Sequence, residues 1–299
     1  MPAMRILVTG SSGLVGSALL PFLAAGGHEV HRLVRHEPRE GEIRWDPAVG
    51  RIDAKGLEGF DAVVHLAGES IAGRWTAAKK AAIRESRLKG TRLLAQALAG
   101  LARPPKVLIA ASAIGIYGDR GDEVLTEDSP EGTGFLAELC HAWEDASSPA
   151  QARGIRVVNL RFGVILSPAG GALARMLLPF RLGLGGVVGA GGQWMSWVAL
   201  DDVLGAVLHA LRTEPLLGPV NVASPNPVTN RDFTRALGRV LHRPTVFPLP
   251  AFAARLAFGE MADALLLSSA RVLPKRLEGS GFRFARPELE GALHPLLDA

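Results

Sequence analysis

The chain has 299 residues, 48% hydrophobic and 21% charged, with a formal net charge of +4. That balance excludes a disordered or fibrous protein and allows one large domain or two modest ones. A single cysteine, Cys140, excludes a disulfide scaffold, and no Cys/His cluster has zinc spacing, so no metal is expected. The pI of 9.6 comes from cations that are spread thinly and interleaved with acids. Nucleic acid is therefore not an expected partner, because a phosphate backbone needs a clustered basic face. No apolar run approaches the ~20 residues of a membrane span, so no membrane partner is expected. The reducing cytoplasm is the expected compartment.

In chain order, Ile6 to Val8 reads as a strand and Leu14 to Ala25 as a helix closed by Gly26-Gly27. Strands follow at Glu29 to Val34, Ile43 to Trp45 and Ala62 to Leu66. A long helix spans Thr76 to Ala99, with Thr76 as N-cap and Gly100 at its end. Val107 to Ala111 is a strand, Phe135 to Ala146 a helix and Val157 to Leu160 a strand. This alternation predicts a doubly wound α/β fold of Rossmann type, with a parallel sheet covered on both faces. After Arg161 the chain becomes Gly- and Pro-rich, with helices at Leu173 to Phe180, Asn230 to Leu241, Ala251 to Phe258 and Ala262 to Leu267. Val220 to Val222 is a last sheet strand. Residues 1–166 and 198–224 are predicted to form the sheet domain. Residues 167–197 and 225–299 are predicted to form a smaller lobe over the sheet's C-terminal edge.

The segment Thr9-Gly10-Ser11-Ser12-Gly13-Leu14-Val15-Gly16 follows a strand and opens a helix. In that context Gly10 permits a tight turn, Gly13 lets backbone approach a pyrophosphate and Gly16 lets the helix pack on the strand. The helix N-terminus offers free N–H groups to phosphate oxygens. Gly10, Ser11, Ser12, Gly13, Leu14 and Val15 are the expected dinucleotide contacts. The end of the second strand reads His31-Arg32-Leu33-Val34-Arg35, without the acid that an NAD site places on the ribose. Arg35 stands where a guanidinium can pair with a 2′-phosphate, so NADP is predicted over NAD; the alternative is a solvated surface arginine.

These features, with His65-Leu66-Ala67-Gly68-Glu69, Glu85-Ser86-Arg87, Ala111-Ser112-Ala113, Ile116-Tyr117-Gly118, Trp143-Glu144, Arg161-Phe162-Gly163-Val164 and Gly191 through Asp202, resemble the extended short-chain dehydrogenase/reductases. The similarity is narrowest to an atypical branch of epimerase-family proteins, nucleoside-diphosphate-sugar epimerase-like, and covers nearly the whole chain. The resemblance implies that Leu66, Ala67 and Gly68 lie beside the adenosine and that Arg87 reaches the cofactor. It places Val164 at the nicotinamide, with Ala111 among the cofactor contacts.

Members of that superfamily use a Ser, a Tyr and a Lys, the last two at i and i+4, to move a proton while hydride transfers. This chain departs from the pattern. Its one tyrosine is Tyr117, and alignment on Trp143-Glu144 puts Leu136 and Cys140 at the Tyr and Lys places. Ser112 matches the family serine and could bond a substrate carbonyl, or could merely pack at a strand end. Tyr117 is the other candidate acid, or a structural tyrosine. Glu69, Trp194 and Trp197 are expected on the substrate side, where packing is the alternative for the tryptophans. The reading is an NADP-dependent oxidoreductase of a small molecule. The alternatives are a non-catalytic NADP(H)-binding sensor or scaffold and, last, a nucleotide-sugar epimerase. Oligomeric state is left open.

Overall fold

The structure, a computed structural model, describes residues 3–297; Met1, Pro2, Asp298 and Ala299, at the ends of the two predicted domains, lie outside it. The strands are β1 (Arg5–Thr9), β2 (Glu29–Val34), β3 (Glu42–Asp46), β4 (Arg51–Ile52), β5 (Ala62–His65), β6 (Val107–Ala113), β7 (Val124–Leu125), β8 (Arg156–Phe162), β9 (Val164–Leu166), β10 (Trp194–Met195), β11 (Trp197–Ala199), β12 (Gly218–Val222), β13 (Val228–Thr229) and β14 (Arg271–Val272). Eight of them form one sheet in the order β12-β8-β6-β5-β1-β2-β3-β4. Neighbours are parallel except β3 and β4.

Sequence pattern explains the layers. Ile6, Leu7 and Val8 are all fully buried, but Ile6 and Val8 join one core while Leu7 joins another. Successive side chains point to opposite faces of a strand, so an unbroken apolar run needs cover on both sides. Helices supply it: α1 (Leu14–Ala25), α2 (Ala77–Ala99), α3 (Phe135–Asp145), α4 (Ser148–Ala152), α5 (Gly171–Arg181) and α6 (Leu200–Arg212). Thr76 caps α2, its hydroxyl accepting from Lys79 N at 3.1 Å.

A third core gathers Leu173, Leu177 and Phe180 of α5, Trp197 of β11, Phe233 and Leu237 of α7 (Asn230–Val240) and Leu293 of a C-terminal helix. The remaining helices are α8 (Ala251–Phe258), a π turn at Ala262–Leu267, α9 (Lys275–Gly279) and α10 (Leu289–Leu297). Asp202, in the first turn of α6, accepts from Ala285 N at 2.6 Å and Arg286 N at 3.0 Å. It ties the C-terminal segment to α6 rather than capping its own helix. Among the described residues no helix is long and apolar enough to cross a membrane.

Candidate functional site: the switch point of the sheet

From β1 the chain turns one way to β2 and β3, then returns to place β5 on the other side of β1. Ligands of open α/β sheets bind at such a reversal, outside the carboxyl ends of the strands. The glycine turn lies there. Gly10 has φ +67°, and a Cβ on it would come within 2.7 Å of the Leu66 backbone. A Cβ on Gly16 would come within 2.2 Å of Gly10 O, so α1 can seat against the turn only with glycine at that position.

Gly13 precedes the first turn of α1, which has no side-chain cap and no acidic residue. Gly13 N donates to Gly10 O at 3.0 Å, and Ser17 N to Gly13 O at 2.9 Å. The N–H groups of Leu14, Val15 and Gly16 have no acceptor among the described residues. Ser12, Gly13 and Leu14 border a cleft of about 450 Å³, lined also by Ala169, Gly170 and Gly171.

The neighbouring loop is fixed from below. Leu66 N and Ala67 N both donate to Thr9 Oγ1, at 3.1 and 3.2 Å. The Thr9 proton is therefore left for His65 Nδ1, 2.7 Å away. That assigns the neutral Nε2–H tautomer to His65, which donates to Thr91 Oγ1 at 2.9 Å. Burial agrees, pulling the His65 pKa down to about 4. Trp143 Nε1 also donates to Thr91 Oγ1, at 3.0 Å. Arg87 lies 4.8 Å over the Trp143 ring and donates to Glu69 O at 2.8 Å. A Cβ on Gly68 would sit 3.3 Å from its guanidinium carbon. Gly10, Leu66, Ala67, Gly68 and Arg87 thus meet in one place. Sequence reading passed over Thr9, Thr91 and the role of His65; a histidine ending an otherwise apolar strand was the available signal.

Arg35 is exposed at the tip of β2 and makes no hydrogen bond or ion pair with a described residue. Glu69, read as substrate-facing, is bound to Lys79 at 2.7 Å. The Lys79 bond and charge, then the charges of Arg35 and Arg87, hold its carboxyl below the usual range.

The expected catalytic pair is placed elsewhere. Ser112 is 2% exposed and its Oγ donates to Glu144 Oε1 at 2.6 Å. Tyr117 is fully buried; its hydroxyl donates to Asn221 Oδ1 at 2.8 Å and accepts from Arg161 Nη1 at 2.9 Å. Burial pushes the phenol pKa up. Both hydroxyls are committed inside the protein, which corrects the expectation that either one faces a substrate. Strand alternation turns Ala113, not Ser112, to the other side of β6. Ala111 is buried on the same strand. Cys140 is buried beside Arg87 and Glu144, and burial with the Glu144 charge pushes its thiol up to about 12. Leu136 packs on Gly115.

Val164 is half-buried and donates its N–H to Ser196 O at 2.8 Å. Trp194 is half-buried, its indole N–H on Asp122 Oδ1 at 2.8 Å and its ring 4.3 Å under Arg271. Trp197 is fully buried in the third core and bonded to Asn226 O at 3.0 Å. That packing corrects its reading as a pocket residue. No group of three or more His, Cys, Asp or Glu among the described residues could hold a metal.

Known proteins are similar to this chain in sequence and in fold. An epimerase family protein of Mycobacterium bovis is 47% identical over 292 residues, covering 96% of both chains. Human epimerase family protein SDR39U1 is 38% identical over 298 residues, covering 98% of this chain and 100% of that one. The crystal structure of human SDR39U1 (isoform 2) with NADPH has a TM-score of 0.91 at 36% identity, covering 99% of each chain. A domain of unknown function, DUF1731, matches residues 249–296. The glycine turn at the switch point sits within residues 6–223, which match the NAD dependent epimerase/dehydratase family, and the chain belongs to that family.

Proposed function

We propose that the protein binds NADP(H) at the switch point and works as an atypical short-chain dehydrogenase/reductase without Tyr–Lys proton transfer. The turn at Gly10 carries the reading: it is a cradle that a Cβ would fill, beside an uncapped helix start with free N–H groups. The backbone from Gly10 to Val15 would hold the pyrophosphate. Arg35, which makes no hydrogen bond or ion pair with a described residue, would take the 2′-phosphate. Leu66, Ala67, Gly68 and Arg87 would border the adenosine half, with Ala111 and Val164 further along. The human relative crystallised with NADPH supports the same cofactor.

The bound dinucleotide supplies hydride chemistry. The protein's own residues bind and orient it, and their proton-moving capacity is small. Ser112 and Tyr117 are engaged in internal bonds, and Leu136 and Cys140 stand where the family acid and lysine would be. This favours a dinucleotide-binding role over nucleotide-sugar epimerisation, which needs a competent base. An oxidoreductase step would have to draw its proton from water or from the substrate.

Calorimetry tests the cofactor. NADPH should bind at least tenfold more tightly than NADH, and Arg35→Ala should erase that preference, since a charge-assisted pair contributes about 1.5–3 kcal/mol. No heat with either cofactor would overturn the reading. Following NADPH absorbance against a panel of aldehydes and ketones tests the chemistry. Rapid turnover abolished by Tyr117→Phe would show that a buried phenol does serve as the acid.

A further inference from the structure

The charge of this chain is nearly balanced, with 33 Lys and Arg against 29 Asp and Glu, but its distribution is not. Residues 163–200 and 233–259 contain no acidic residue, while they carry Arg175, Arg181, Arg235, Arg239, Arg243 and Arg255. The fold brings most of these cations together. The segment after α5 runs beside the segment after α7: Phe247 N donates to Gly185 O at 3.3 Å and Leu249 N to Val187 O at 2.9 Å. His242, at φ +52°, reverses the chain, and Arg243 Nε then donates to Arg181 O at 2.9 Å. Arg235, Arg239, His242 and Arg243 rim one shallow depression with Gly238 and Thr245. Arg239 is paired with Glu290; Arg175 and Arg235 have no acidic partner among the described residues.

Large apolar side chains stand among these cations. Leu178, Leu182, Leu184, Val246 and Phe247 are each more than half exposed. Single exposed hydrophobics need no explanation, but a cluster on two adjoining segments does. Its position among arginines selects the occupant. Docking against a second copy by a two-fold axis would bring one arginine-rich patch toward another. A nucleic acid would meet the charge but leave four of the five apolar side chains, which are aliphatic, without a stacking partner. A surface that is anionic outside and apolar beneath satisfies both sets at once: arginines reach phosphate groups while Leu, Val and Phe enter the acyl boundary.

We propose that this face, formed by the end of α5, the end of α7 and the two segments that follow them, docks on an anionic lipid bilayer as a peripheral contact. It departs from the sequence expectation of no membrane partner, which considered only spanning segments. The contact is independent of the cofactor site.

Co-flotation of the purified full chain with vesicles tests it. Binding is expected on phosphatidylcholine doped with phosphatidylglycerol and not on phosphatidylcholine alone. It should weaken in ~1 M salt, where the Debye length is about 3 Å. Arg235→Gln, which removes a cation with no acidic partner among the described residues, should weaken vesicle binding about fivefold, the worth of one basic residue near an anionic surface. Leu182→Ser combined with Val246→Ser should weaken it by at least about fivefold. Both positions are about two-thirds open, at 65% and 68%, so the melting temperature should not move. Equal retention on neutral vesicles, or none on anionic ones, overturns the proposal. So does a stable dimer in sedimentation that the Leu182/Val246 variant dissolves, or salt-dependent binding of duplex DNA without vesicle binding.

Discussion

Arg161 grips Glu144 with two parallel hydrogen bonds, Nε to Oε1 at 2.8 Å and Nη2 to Oε2 at 2.9 Å. Their side chains are 6% and 12% exposed, so the pair stands largely out of water. Two further groups lean on it: Ser112 on Glu144, and Tyr117 on Arg161. A buried pair adds little over an apolar replacement of both members, but removing one member strands the other charge. Arg161→Met should therefore lower unfolding free energy by about 3 kcal/mol in urea titrations. Arg161→Met with Glu144→Leu should recover part of that loss. Equal losses in the single and double variants would mean that the pair does not set the stability here.

Tyr117→Phe separates packing from chemistry. The ring remains in its core of Ile116, Leu125, Cys140 and Val272, and only the hydroxyl is lost. That leaves Asn221 Oδ1 and one Arg161 nitrogen short of a partner, at a cost of about 1–2 kcal/mol. NADPH affinity should stay within about twofold, because the hydroxyl points to Asn221 rather than to the cleft. A large fall in affinity with unchanged stability would contradict the placement.

How much of this was legible beforehand depended on the range of the determining contact. The helix from Leu14 to Ala25 and the strand from Glu29 to Val34 match the sequence expectation residue for residue, because apolar period and glycine punctuation are local signals. Thr76 and Gly100 were readable as caps for the same reason. The two-residue strands β4, β7, β10, β13 and β14 were not, since so few residues show no period and their pairing is settled outside them. Tyr117 illustrates the limit best. Its partners, Arg161 and Asn221, lie 44 and 104 positions away, and nothing near Tyr117 tells a buried phenol from a cleft-facing one. Trp197 shows the same limit: the sequence left both a substrate-side place and packing open, and packing with residues of α5, α7 and α10 is what the fold supplies.

Two glycines of the turn should respond differently to alanine. At Gly10 the added methyl would strike the Leu66 backbone in a left-handed conformation, so Gly10→Ala should both destabilise the fold by a few kcal/mol, on the order of other strained backbone sites, and abolish NADPH binding. At Gly13, φ is −79° and the nearest atom to an added Cβ is Gly10 O at 3.3 Å. Gly13→Ala should fold with a modestly lowered melting temperature, as Gly10 O must give by a few tenths of an ångström. Its methyl, however, sits where backbone must approach a pyrophosphate, so affinity should fall at least about tenfold. Calorimetry alongside thermal melts checks both. Undiminished NADPH binding by Gly13→Ala would move the phosphate site away from this turn.

The buried histidine predicts a pH dependence of stability with a definite sign. His65 is neutral in the fold, and burial pulls its pKa from 6.5 to about 4. Between those values the unfolded chain binds a proton that the folded chain does not, so unfolding is favoured as pH falls. The contribution is complete above pH 6.5 and is lost progressively on acidification toward about pH 4, by roughly 3 kcal/mol in all. His28 is lowered as well, chiefly by burial, and adds to the same trend, whereas His141 is raised by Glu131 and opposes it. Comparison with His65→Phe isolates the term. The replacement keeps a ring beside Trp45, whose own ring centroid is 6.0 Å from the imidazole, and deprives Thr9 and Thr91 of a partner. The variant should be less stable at pH 7 but lose less stability between pH 6.5 and 4.5 than the parent. Urea unfolding at several pH values in that window measures the two slopes. Parallel slopes would mean that the proton enters elsewhere, and that Thr9, with the loop it holds, is not organised around a neutral His65.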